Sequence, residues 1–205
     1  MEREETSALY EVFHESYDTN LLRAFGYEVG MPRMRGFLKS NGPWNQLVQD
    51  RHITLQELAS DRAVALNDRL TLTPLLVPHR DEFSETVGFH LQGPQKSILY
   101  LPDIDKWERW HRLIEDELAR VDAAYLDGTF FADGELASCD MSTIPHPFIT
   151  ESMTRFAPLP ADERDKVRFI HLNHTNPALD PASPEAHTIR EAGLHTAREG
   201  ELVVL

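Results

Sequence analysis

SILYLPDIDKWERWHRLIEDELARVDAAYLD, residues 97–127, decides how the chain folds. Ser97 to Leu101 is an apolar run that stops at Pro102-Asp103, which reads as a buried strand ending in a turn. Trp107, Trp110, Leu113, Ile114, Leu118 and Val121 then recur at helical spacing and predict a helix with one apolar face. Asp105 and Glu108 stand at the spacing of an N-cap and capping box for that helix. Ala123 to Leu126 is a second apolar strand. A strand, a helix and a strand in about thirty residues predict a layered α/β fold.

The pattern continues outward on both sides. Downstream, residues 133–160 are rich in Pro, Ser, Thr and Asp and read as a long loop with a short helix near Glu151 to Phe156. Loops of this length in compact domains are often functional. Val167 to Leu172 is a buried-strand candidate. Ser183-Pro184-Glu185 has the residues of a helix start, with serine as cap and proline in the first turn, and Gly193 ends that helix. Glu201 to Leu205 reads as a closing strand. Upstream, Ile53 to Leu58, Ala63 to Leu66, Leu70 to Val77 and Val87 to Leu91 read as a meander of short strands, the last ending at Gly93-Pro94. Residues 33–50 predict short helices broken at Asn41-Gly42-Pro43, and residues 1–30 a weakly amphipathic helix or two. The whole is expected to be one domain with a mixed sheet, residues 1–30 being its atypical part.

Composition narrows the function. A formal net charge of −14 repels phosphate backbones and argues against general nucleic-acid binding. No apolar run approaches the length that spans a bilayer. The opening MEREETSALYEVFHESYD is acidic and has no apolar signal-peptide core, and Cys139 stands alone, so a reducing cytoplasmic location is the expectation.

Three groups of chemistry-bearing residues lie where strands end: VPHRDEFSET (77–86), YLPDID (100–105) and FIHLNHTNP (169–177). Strand ends in layered α/β folds are common places for ligands and metals. Imidazole and carboxylate together suit zinc, iron or manganese. His171 and His174 would face opposite sides of an extended strand, so one of them is a ligand and the other supports or is structural. Simpler readings compete. A lone histidine such as His79 is more often a loop residue, Asp105 a helix cap, Asp103 a turn-former after Pro102, and Asn173 and Asn176 turn-formers before Pro177. His14, His52, His90, His111, His187 and His195 have no partner pattern and read as structural.

The order VPHRDEFSETVGF, SILYLPDIDKW, AAYLDGTFF, FIHLNHTNPALD resembles the later motifs of the metallo-β-lactamase superfamily, in the branch similar to pyrroloquinoline quinone biosynthesis protein B. YLDGTF and IHLNHTNPALD carry most of the resemblance, which extends over roughly residues 31–205. It implies an αββα sandwich with metal at one edge of two facing sheets. It implies His79 and His174 as metal ligands, with His171 competing for the role of His174. Asp103 would be a ligand and the catalytic carboxylate, with Asp127 and Asn176 behind the ligands. The implied ion is zinc, alternatively iron, and one ion rather than two. The implied partner is a small-molecule or peptide-derived substrate.

The superfamily's His-x-His-x-Asp-His loop is absent, since no His-x-His occurs anywhere in the 205 residues. The expectation is therefore a sandwich incomplete in its N-terminal half, with a sheet face that N-terminal helices or a homodimer partner would cover. Three functions follow. One is a metal-dependent hydrolase in which bound water attacks an ester, phosphodiester or lactam-type carbonyl. Another is an iron-dependent, oxygenase-like step in quinone cofactor synthesis. The third is a non-catalytic binding module.

Overall fold

The computed structural model describes residues 32–55, 58–80, 85–137 and 139–205. The helices expected in residues 1–30, His14, and Asp81 to Ser84 of the first ionisable group lie outside the described residues. Two short helices, α1 (Pro32–Ser40) and α2 (Gly42–Gln49), open the described part and meet at the Asn41-Gly42-Pro43 break. The strands are β1 (Val64–Ala65), β2 (Thr71–Val77), β3 (Thr86–Gln92), β4 (Ser97–Leu101), β5 (Ala123–Asp127), β6 (Val167–Ile170) and β7 (His195–Thr196). They form one seven-stranded sheet in chain order. β1 to β4 pair antiparallel, and β4 to β7 pair parallel.

That topology follows from what joins the strands. Four residues, 93–96, join β3 to β4, and only antiparallel neighbours can be joined so closely; residues 78–85 link β2 to β3. Each later strand is reached through a crossover. The first carries α3 (Ile114–Leu118), the second α4 (Ile149–Phe156) and α5 (Ala161–Asp165), the third α6 (Pro184–Glu191). These crossovers pack on one face of the sheet. Trp107, Ile114, Leu118, Ile149, Phe156 and Ile189 bury against Leu99, Leu101, Ala124, Leu126, Val167 and Phe169 in one core. The opposite face carries a smaller cluster, with Leu72, Leu91, Ile98 and Ala123 buried and Phe89, Tyr100 and Tyr125 half-buried.

Local signals set the helix ends. Ser183 Oγ accepts from the Ala186 N–H (3.0 Å) and Pro184 occupies the first turn of α6. Gly193 (φ +77°) closes that helix, and the Leu194 N–H reaches back to the Ile189 carbonyl. Only glycine takes such a backbone freely.

Some expectations differ from the fold. The helix expected from Trp107 to Val121 is a 3₁₀ turn (Trp107–Arg109) followed by the short α3. Trp110 and Leu113 between them have extended backbone (ψ 134° and 123°). The break lets each indole find its own acceptor inside the core. Trp107 Nε1 donates to Ser152 Oγ and Trp110 Nε1 to the Leu76 carbonyl, both at 2.9 Å. Leu113, expected in the core, is exposed as a result. Asp105 does not cap this helix. It is buried, accepts from the Lys106 N–H and pairs with Arg109 at 2.7 Å. Residues 201–205 form no strand; they run irregularly over the sheet, with Leu205 buried against Gly93, where a Cβ would approach Leu205 Cβ to 2.4 Å. The last strand is instead His195–Thr196. No helix among the described residues is long and apolar enough to cross a membrane.

Candidate functional site

β2, β4, β5 and β6 run in the same direction, so their C-terminal ends share one edge of the sheet. The three residue groups singled out by the sequence follow three of those ends. The Asp105 N–H donates to the Pro78 carbonyl at 2.7 Å, which ties the loop after β4 to the loop after β2. As a result His79 Nε2 lies 3.1 Å from Asp103 Oδ1.

Asp127 ends β5 and is fully buried. Its Oδ1 accepts from the Thr129 N–H (2.9 Å) and Thr129 Oγ1 (2.7 Å), and its Oδ2 from the Ile104 N–H (3.1 Å). Oδ2 also lies 2.7 Å from His146 Nδ1. A buried carboxylate is tolerated only when its lone pairs are met in this way. His146 comes from the long loop 128–148, and its Nδ1 is also 3.5 Å from Asp103 Oδ1. Burial opposes the charged form of His146. The Asp127 hydrogen bond and the negative charges of Asp127, Asp103 and Asp105 outweigh that, and its pKa is raised.

His171 follows β6 in the left-handed region (φ +62°). The Gly128 N–H bonds the Ile170 carbonyl and the Asn173 N–H bonds the Thr129 carbonyl, so the ladder passes over His171 and Leu172. An inserted residue of this kind re-aims its side chain. The His171 ring turns to Thr129, with Nδ1 2.9 Å from Oγ1. Gly128 permits the close approach of the two strands, since a Cβ there would meet Phe169 Cβ at 2.7 Å.

Asp103, Asp127, His146 and His171 each offer one ligand atom, all within 4.8 Å of one another. His79 adjoins this group through Asp103. His174 does not join it; it is exposed, and its Nδ1 faces Asn173 Oδ1 at 3.1 Å. Asn176 is buried behind the site, where its Nδ2 donates to the Gly128 and Thr129 carbonyls (2.8 and 3.2 Å). It thereby fixes the turn that follows Asp127. Asn176 also caps the next 3₁₀ turn through Ala178 N–H, as its position before Pro177 suggests.

The sequence reading passed over His146. It stands alone in a loop with no periodic partner. The one available signal was Pro145-His146-Pro147, in which two fixed φ angles hold a histidine rigid inside a loop already suspected of function.

The donor chemistry suits a metal ion. Asp103 Oδ1 and His79 Nδ1 are buried and make no hydrogen bond, although two imidazoles flank Asp103 Oδ1. An acceptor left unmet at the centre of converging donor atoms is what a cation satisfies.

Residues 17–178 match the Beta-lactamase superfamily domain, and the chain belongs to the metallo-β-lactamase superfamily. Within it, the chain falls in the branch similar to coenzyme PQQ synthesis protein B. It is 29% identical over 159 residues to the protein of that name from Nitrosococcus oceani, covering 67% of this chain and 48% of that protein. It is 30% identical over 192 residues to the one from Xanthomonas euvesicatoria pv. vesicatoria, covering 84% and 62%. The chain thus spans about half to three fifths of the length of these relatives. The fold matches a crystal structure of Zn(2+)-bound PqqB from Methylobacterium extorquens, with a TM-score of 0.67 and 23% identity, over 91% of this chain and 68% of that one.

Proposed function

We propose that this edge of the sheet holds a single zinc ion, and that the protein uses it to activate water against a small-molecule or peptide-derived substrate in quinone cofactor synthesis. The observation that carries the reading is the convergence of Asp103, His146 and His171 on one point where the Asp103 oxygen has no hydrogen-bond partner. The Zn²⁺-bound relative and the curated relatives support the metal and the pathway.

The residues divide by what their atoms are free to do. Asp127 has its oxygens filled by Ile104, Thr129 and His146, so it orients and does not ligate. Thr129 Oγ1 gives its proton to Asp127 and therefore accepts from His171 Nδ1–H. His146 gives its Nδ1 proton to Asp127. Both imidazoles are thereby set as the tautomer whose free lone pair is on Nε2. Asp103 supplies the carboxylate, and His79 lies beside it as a further donor. A zinc ion bound there would polarise a carbonyl and bring the pKa of its water near neutrality. The field that raises the His146 pKa favours a cation at the same place.

The test is elemental mass spectrometry on the gently desalted chain. About one zinc per chain is expected, lost in Asp103→Asn and His146→Ala but kept in His174→Ala. Absence of metal from all of them, or equal retention in all, would overturn the site. A second reading has its own support: two histidines and one carboxylate also suit an iron(II) centre of the oxygenase type. Iron in the same assay would favour it.

A further inference from the structure

A second concavity, of about 650 Å³, lies between β6, β7 and the segment from the 3₁₀ turn Pro177–Leu179 to α6. None of Asp103, Asp127, His146 and His171 lines it, so it is separate from the proposed metal site. Its volume is within the range of small-molecule sites, roughly 300–1,000 Å³. Its wall has two kinds of surface. Leu172, Ala178, Leu179 and Ala186 supply an apolar side, and Leu179 is 52% exposed although it is large and apolar. Arg168, Arg190 and Arg198 supply three guanidinium groups, in a chain whose net charge is −14.

The partners of the arginines show which are available. Arg168 is committed, through Nε to Glu201 (2.8 Å) and through Nη1 to the Asp165 and Lys166 carbonyls. The other Glu201 oxygen faces the Arg198 N–H at 3.3 Å, so that carboxylate is engaged on both sides. Among the described residues, Arg190 has one partner, the Pro181 carbonyl, which its Nη1 reaches at 3.0 Å. The Arg198 guanidinium has no ion pair or hydrogen bond among the described residues. Among the described residues, Glu199 is the other acid of the wall. Two guanidinium groups with spare donors beside an apolar wall suit an anion that carries an apolar body, because the planar fork matches a carboxylate in bidentate fashion.

We propose that this cavity binds a small organic carboxylate, with its acid group on Arg190 and Arg198 and its carbon body against Leu172 and Leu179. The apolar side favours an organic acid over free phosphate. Because Leu172 and Ala178 belong to the same loop as His171 and Asn176, an occupant would rest against the segment that sets the His171 ring.

The experiment is calorimetric titration of the full chain with phthalate, with inorganic phosphate in parallel. Saturable phthalate binding in the millimolar range or tighter is expected, with phosphate weaker. Arg198→Gln should weaken phthalate about tenfold, as expected for loss of a charge-assisted contact. Arg198→Lys, which keeps the charge without the fork, should fall between. Arg198 is exposed, and an unchanged thermal melt would show that both variants fold. Asp103→Asn should leave phthalate binding unchanged, so failure of the metal site and failure of this cavity are told apart. The proposal is overturned by no saturable phthalate binding, by unaltered affinity in Arg198→Gln, by phosphate binding as well as phthalate, or by loss of binding in Asp103→Asn.

Discussion

Two half-buried histidines face opposite outcomes in this fold. His146, at the edge of the sheet, gives its Nδ1 to a fully buried carboxylate, and its pKa is raised. His90, on β3 within the sheet, has a buried Nε2 with no hydrogen-bond partner. Burial lowers its pKa in spite of the charge of Glu117. The difference teaches that depth alone does not set the charge a histidine carries. The region around His146 concentrates Asp103, Asp105 and Asp127 where the strands end, while His90 has Glu117 and Arg120 near it, whose charges oppose one another, so burial decides.

The largest expected effect comes from making the first region resemble the second. Asp127→Ala removes the acceptor for Ile104, Thr129 and His146, and should cost about 3–5 kcal/mol of stability, as for breaking a buried charged network. Urea denaturation of the metal-stripped chain measures it, and a loss under about 1 kcal/mol would show that Asp127 does not organise the edge. Next is Thr129→Val, which keeps the shape and removes the hydroxyl shared by Asp127, His146 and His171. Zinc affinity should fall roughly 10–100-fold, the usual effect of losing a group that orients ligands. A competition titration with a chromogenic chelator reads it, and unchanged affinity would remove Thr129 from the site. Smaller still is the backbone strain at His171. Without metal, His171→Gly should be more stable than His171→Ala by about 1 kcal/mol, since only glycine adopts φ +62° freely. Equal melting midpoints would count against it.

The smallest effect is one of pH. His90 has a folded pKa below its unfolded value, so below pH about 6.5 the unfolded chain binds the proton more readily than the folded one. Its contribution to stability is present above that pH and is lost as pH falls from there toward the folded pKa. His90→Gln should therefore lose less stability than the native chain between pH 8 and pH 5.5, and parallel curves would show that His90 does not titrate on unfolding.

Most of the parallel half of the sheet was legible, because its signals are local. Ile98, Leu99 and Leu101 form an unbroken apolar run, and Ser183-Pro184 with Gly193 brackets a helix in one stretch of chain. His79, Asp103 and His171 stood out because each follows a strand directly. The interruption at Trp110 to Leu113 was not legible, since it depends on where Ser152 and the Leu76 carbonyl lie in space. His146 was not legible for the same reason: its partner Asp127 is nineteen positions away, across a loop with no period. The left-handed backbone at His171 also left no mark, because the residue is not glycine and the skipped ladder position needs both strands to be seen.

The parallel pairing of β4, β5 and β6 also bears on the order of events during folding. The groups at the edge are drawn from residues 79 to 171, and each pair of neighbouring strands is separated by a crossover that must close before they meet. Such non-local pairings form slowly compared with turns and helices. The donor atoms therefore converge only after the second crossover has docked β6, and no earlier partial structure presents them all. Capture of the ion would be a late event, which makes metal uptake during refolding a clock for completion of the sheet.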